Sequence, residues 1–345
     1  MDHQSHALDL EALRYGPLAD RPSKVGLADL GRPLAADPTV DAWIDALPRQ
    51  LAGEGFRRLR DAIVEAHSQG REVVAAIGGH VVKTGCGPYL IDWIGRGVLT
   101  GLAMNGSAAI HDLELAVAGR TSEDVGPRLM DGTFGFARET SALFAEACVL
   151  AASEGCGLGA ALGRVVAECG GPGLGSSLLV AAHRSRIPVT VHVAVGTDIV
   201  HMSPRLDGAA LGKATLDDFR GLCQTVSVLA GGVWLNLGSA VVLPEVFLKA
   251  VAVVRNLGRS LDGLTTANLD FHQQYRGLLN VLSRPGAEGI ALTGHHELMI
   301  PLLHAAVVAR LDAIRIGRIF GTLRPSPPHP AEAPGPHSPG QRAPR

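Results

Sequence analysis

Short apolar runs alternate along the chain with glycine-rich polar turns and stretches of helical period. The runs are Glu72–Ile77, Val98–Met104, Pro188–Val195, Gly232–Asn236, Leu261–Ala267 and Gly289–Thr293, and their length and content suit strands. Helical patterns lie between them: Tyr89–Arg96, a stretch from the turn after Met104 to about Ala118, Phe136–Glu154, Gly157–Glu168, Ser176–Ser185, Leu216–Leu229, Pro244–Asn256 and Leu298–Leu311. Upstream, a helical pattern begins near Asp41, with interruptions at Pro48 and Gly53–Gly55. It then places Phe56, Leu59, Ile63 and Ala66 on one face. Residues 119–135 are glycine-rich and polar and read as a loop or excursion. Strands separated by helices predict an α/β fold, a doubly wound and mostly parallel sheet with helices on both faces. Runs that are apolar on both sides are what a covered parallel sheet requires.

Length and composition sharpen this picture. With 345 residues and 46% hydrophobic content, the chain can bury a large core. Residues 1–40 hold scattered Pro and Gly without period and read as an N-terminal arm. Residues 41–321 read as one α/β domain, and 322–345 as a disordered Pro-rich tail. A net charge of −2 with no basic stripe predicts no nucleic-acid partner. The cysteines Cys86, Cys148, Cys156, Cys169 and Cys223 are odd in number and show no C-x-x-C spacing. That argues against a disulfide framework or structural zinc and for a reducing compartment. No signal-peptide pattern and no run near the ~20 apolar residues of a membrane span is present, so a cytoplasmic chain without a membrane partner is expected.

In such sheets ligands bind outside the carboxyl ends of the strands. Those ends are Gly78–Gly87, Asn105–Glu114, Gly196–His201, Asn236–Ser239, Thr265–Asp270 and Thr293–Glu297, and they collect most of the conspicuous polar and glycine residues. In the first loop Gly78, Gly79, Lys83, Thr84 and Gly85 suit a pyrophosphate held by backbone N–H groups beside an ammonium, although neither the P-loop order nor G-x-G-x-x-G is present. In the second, Asn105, Gly106 and Ser107 let backbone approach a ligand closely; alternatively Asn105 or Ser107 is simply the helix N-cap. His111, His201, His295 and His296, with Asp112, Asp198 and Glu297, could move protons, or could be capping and core groups. Asp198-x-x-His201 and His295-His296-Glu297 match no zinc spacing, so no metal is assigned. From spacing alone, Glu114 and Asp218 read as surface or first-turn acids. No Gly-x-Ser-x-Gly elbow appears, and Cys86 lacks a supporting base.

The order of these segments over roughly residues 70–300 resembles the deoxyhypusine synthase family. The matching pieces are Gly78–Gly87, Asn105–Glu114, Ile187-Pro-Val with Gly196-Thr-Asp198, Gly238-Ser-Ala-Val-Val242, Arg255-Asn256, Thr266-Ala267 with Asp270-Phe271, and Arg284-Pro-Gly with Gly294-His295. The resemblance implies a Rossmann-like fold, NAD as cofactor, a homotetramer and oxidation of an amine, a polyamine or basic amino acid, to an imine that is transferred or hydrolysed. It implies nucleotide contacts from Gly78, Gly79, Lys83, Thr84, Gly85, Asn105, Gly106, Ser107, Asn236, Gly238, Ser239, Thr266, Ala267 and Asn268. Glu114, Asp198 and Asp270 would bind the cationic substrate, and His111, Asp112, His201, His295, His296 and Glu297 would be catalytic. Two departures stand out. The family's imine-forming lysine would fall near His295, and its active-site histidine near Pro244–Glu245. Asn105–Glu114 is also similar to the Asn…His-Asp-x-Glu stretch of archaeal-type ornithine cyclodeaminases, which implies a cyclodeaminase-type NAD reaction as an alternative. The missing lysine leaves a non-catalytic nucleotide-binding or sensing protein as another.

Overall fold

The computed structural model describes residues 8–34 and 36–321. The first part holds three short 3₁₀ turns, none with a buried residue. The body then runs α1 (Val40–Ala46), α2 (Leu51–Ser68), β1 (Val73–Ile77), α3 (Gly79–Lys83), α4 (Gly87–Gly95), β2 (Gly101–Asn105) and α5 (Gly106–Ala118). It continues with α6 (Val125–Met130), α7 (Arg138–Glu154), α8 (Leu158–Cys169), α9 (Leu178–Ser185), β3 (Val189–His192) and α10 (Gly208–Ser227). The last elements are β4 (Val233–Leu237), α11 (Val242–Asn256), β5 (Thr265–Asp270), β6 (Glu288–Thr293) and α12 (His296–Gly321), with a π-helical turn at Gly277–Ser283.

The sheet order is β3-β2-β1-β4-β5-β6, and every neighbouring pair is parallel. Chain order therefore reverses between β1 and β4, the topological switch point at which a doubly wound sheet opens a crevice for ligands. Successive residues of β1 serve opposite cores, as a two-residue side-chain period demands. Val73, Ala75 and Ile77 join α2, α4, α5, α9 and α12 on one face. Val74 and Ala76 join Trp234, Phe247 and helices α10 and α11 on the other. There the rings of Trp234 and Phe247 stack at 4.1 Å. Each such fully buried aromatic contributes a few kcal/mol of apolar burial, about 1.5–3 kcal/mol for a side chain of phenylalanine size.

The structure corrects several expectations. Gly53 and Gly55 do not interrupt a helix; both lie inside α2. A Cβ on Gly53 would sit 2.4 Å from the Pro48 carbonyl, so glycine is there for a close crossing. The stretch 119–135 includes α6, and α10 begins at Gly208 behind its Asp207 cap. β6 is not apolar on both faces, because it is an edge strand with alternating exposure. Asp218 is not a surface acid. It is 3% exposed and accepts from Gly159 N (2.8 Å) and Val191 N (2.7 Å), tying the start of α8 to β3. The expected disordered tail, 322–345, lies outside the described residues. Among the described residues no helix is long and apolar enough to cross a membrane.

Candidate functional site

α5 leaves β2 through Asn105, whose Oδ1 accepts from Ala108 N at 2.9 Å and so caps the helix. The small residues that follow bring neighbouring loops into contact. A Cβ on Gly106 would lie 2.0 Å from Asp198 Oδ2, and one on Gly79 would lie 2.3 Å from Ser107 Oγ. Across the switch point, a Cβ on Gly78 would lie 2.1 Å from the Gly238 carbonyl. The loops after β1, β2, β3 and β4 thus meet at one edge, and only backbone without side chains fits between them.

Against this edge opens a cavity of about 1030 Å³, at the upper end of the size of small-molecule sites. Its inner wall carries Ser107, His111 and Glu114 from α5, with Lys83 and Asp198 beside them; its outer wall is the 120–137 excursion. Half-buried His111 places Nδ1 2.8 Å from Thr121 Oγ1. Thr121 donates to Glu114 Oε2 at 2.5 Å, and Thr140 donates to Glu114 Oε1 at 3.1 Å. Burial first, and the Lys83 ammonium second, push the His111 pKa down to about 4, so the imidazole is neutral near pH 7. Burial raises the Asp198 carboxyl above its ordinary range, and the neighbouring His201 opposes the rise. Among the described residues Asp198 Oδ2 is buried without a hydrogen-bond partner. His201 Nδ1 accepts from both Gly196 N and Asp198 N at 3.2 Å, which places its proton on Nε2, buried and also without a partner. A neutral imidazole, a carboxylate behind it and a second carboxylate short of a partner favour a ligand bearing N–H donors or positive charge.

The other expected residues fall elsewhere. Asp112 faces away from the cavity, is 1% exposed, and accepts from Ser177 Oγ (2.5 Å), Leu178 N (2.7 Å) and Leu179 N (3.1 Å) at the start of α9. Burial pushes it up to about 6 against those three bonds. Its oxygens are committed to capping, which takes Asp112 out of the acid–base set expected from the sequence. Near the switch point, Asn236 Nδ2 donates to Ser239 O (2.9 Å) and Asn268 Oδ1 (2.6 Å). Among the described residues Asn236 Oδ1 and Thr266 Oγ1 are buried without partners, while Ala267 belongs to the opposite core. His296 is buried, its Nε2 3.2 Å from Leu269 O and its Nδ1 without a partner among the described residues; burial lowers its pKa. Asp270 is buried and accepts from Phe271 N. Thr84 bonds back to His80 O, and Gly85 follows α3 with φ at +77°. His295 and Glu297 are exposed, 3.9 Å apart. Lys83, Ser107, His111, Glu114 and Asp198 therefore share one cavity. Gly78, Gly79, Asn236, Gly238, Ser239, Asn268 and His296 surround the switch point, and Thr84, Gly85, His295 and Glu297 stand outside both groups. Thr121, Thr140, Arg120, Arg128 and Glu139 line the cavity and were not anticipated; the polar character of 119–135 was the available signal for the excursion residues.

No family model matches the chain, and no curated protein sequence matches it. Some solved structures resemble it in part. A conserved protein assigned to the LOR/SDH type from Methanococcus maripaludis S2 is 15% identical with a TM-score of 0.46, over 76% of this chain and 71% of that one. AgrE in ternary complex with ornithine and NAD+ is 14% identical with a TM-score of 0.48, over 75% of this chain and 33% of AgrE, so the chain spans about a third of that protein. A protein assigned as a deoxyhypusine synthase from Entamoeba histolytica is 8% identical with a TM-score of 0.45, over 81% and 96%. At these scores the likeness carries nothing about the chemistry of this chain.

Proposed function

We propose that the chain is an NAD-dependent enzyme that oxidises an amine to an imine. The observation that carries this reading is the cavity at the sheet edge, where neutral His111 is backed by Thr121 and Glu114 and shares the lining with the under-partnered Asp198. At the switch point the Gly78 and Gly238 loops pack on each other, and among the described residues Asn236 Oδ1 and His296 Nδ1 are buried without partners; these polar atoms suit a dinucleotide's hydrogen-bonding groups. Gly78, Gly79, Asn236, Gly238, Ser239 and Asn268 would hold NAD, which when bound supplies a hydride acceptor. Glu114 and Asp198 hold the substrate's positive charge. His111 receives an N–H hydrogen bond at Nε2, and the adjacent Lys83 ammonium disfavours its protonation.

One observation favours an amino-acid substrate, as in a cyclodeaminase-type reaction, over a polyamine. Lys83, Arg120 and Arg128 line the same cavity as Glu114, Glu123, Glu139 and Asp198, so a ligand carrying both signs finds partners for each. Thermal unfolding with NAD, NADP, FAD and UDP-sugars tests the cofactor first. Ligand at a hundred times its dissociation constant adds about 2.7 kcal/mol of stability, an easily read upward shift. A shift with NAD is followed by amines and amino acids screened for absorbance of the reduced cofactor. No shift with NAD sinks the oxidation mechanism. A shift without reduction by any amine points to a binding protein.

A further inference from the structure

The excursion that walls the cavity delivers one side chain into the middle of the His111–Glu114 pair. The two carboxylate oxygens of Glu114 lie against two threonine hydroxyls, Thr121 at Oε2 and Thr140 at Oε1. An ionised carboxylate only accepts, so the single proton of Thr121 is used on Glu114. The bond between Thr121 Oγ1 and His111 Nδ1 must then draw its proton from the ring. The direct His111–Glu114 approach is 4.0 Å, too long for a hydrogen bond, so the hydroxyl is the link. Nε2 makes no hydrogen bond among the described residues, and His111 lines the cavity.

We propose that Thr121 is a positioning residue that locks His111 in the Nδ1–H tautomer and leaves the Nε2 lone pair open to the cavity. The excursion thereby sets which ring nitrogen meets the ligand, and its docking against α5 is part of the site's chemistry. The state of the ring nitrogen that meets the ligand is fixed by the hydrogen bond the other nitrogen makes, as with other functional histidines. This inference builds on the proposed role of His111, yet its first readout needs neither NAD nor turnover.

The test is nitrogen-15 side-chain NMR of the full-length protein, with the His111 signals identified by their loss in His111→Asn. Wild type shows the Nδ1–H signature at pH 7. Thr121→Val, which keeps the shape and removes the hydroxyl, shifts His111 toward Nε2–H, and Thr121→Ser restores the wild-type signature. Retained Nδ1–H in Thr121→Val overturns the proposal. If the valine variant does not fold, Thr121→Ala reads the same signature. Where turnover is measurable, Thr121→Val lowers kcat about 100-fold, the scale of a general base held in the wrong form, and the serine variant rescues it. A tautomer shift in a protein that fails to bind NAD leaves Thr121's role standing and removes only the reaction assigned above.

Discussion

Asp112 and Glu114 stand two residues apart on α5 and end in opposite surroundings. At 3.6 residues per turn they point about 200° apart, so one faces the core and the other the cavity. Asp112 accepts from two backbone N–H groups and a serine at the start of α9, sealed from water. Glu114 accepts from two threonine hydroxyls on the cavity wall. Both are carboxylates on the same helix. What separates them is the donor: backbone N–H groups of another helix make a carboxylate part of the framework, whereas hydroxyls beside a histidine and an open volume leave it available to a ligand.

The largest expected effect follows from that contrast. Asp112→Ala strands three buried donors, each costing about 1–3 kcal/mol, so a loss of about 3 kcal/mol or more is expected in urea unfolding. Glu114→Ala, at a half-buried site whose hydroxyl partners can turn toward the cavity, costs about 1 kcal/mol. Equal losses at the two positions break the comparison.

Function should invert the order. Glu114→Gln and His111→Asn are expected to lower substrate-dependent NAD reduction about 100-fold while the unfolding transition stays cooperative and close to wild type. A glutamine variant with full turnover removes Glu114 from the site.

A third, smaller effect concerns pH. Burial pushes Asp112 up to about 6 and Asp218 up to about 7, whereas an unfolded carboxyl titrates near 3.8. In each case the folded state binds the proton more tightly, so stability from these groups is greatest at the acid end of the window from about 4 to 7 and falls as pH rises through it. His111 and His192, pushed down to about 4 by burial, act in the opposite sense, because the unfolded chain protonates first below its histidine pKa near 6.5. The whole-protein curve mixes the two, and the difference between wild type and Asp218→Asn isolates one. That gap in urea midpoint is expected to widen from pH 7.5 to pH 5; a gap independent of pH contradicts the buried-acid assignment.

The same comparison shows what the residue order could reveal. The six strands and the polar edge were legible, because buried parallel strands need continuous apolar runs and their carboxyl ends carry the ligand loops. Asn105 as a cap was legible from its place before the helix. Asp218 was within reach, since it lies on the buried stripe of α10 with Leu211, Ala214 and Leu222, where an acid must find a partner. Asp112 was harder, because Ser177 is 65 residues away and nothing local announces it. Thr121 was hidden for a different reason: the excursion must fold back on α5 before its hydroxyl reaches His111, and a threonine in a polar loop has no pattern of its own.

The smallest expected effect sharpens the contrast from outside. His295 is 70% exposed and Glu297 48%, and their 3.9 Å approach is an exposed pair in water. Such pairs contribute little, because solvent screens the charges and both side chains lose freedom when held. His295→Ala is therefore expected to change stability by less than about 0.5 kcal/mol, against the several lost at Asp112. The position matters because the family resemblance places its imine lysine near it. A loss well above that bound means that His295 has a partner outside the described residues, and the rim of the sheet edge is then not simply solvated.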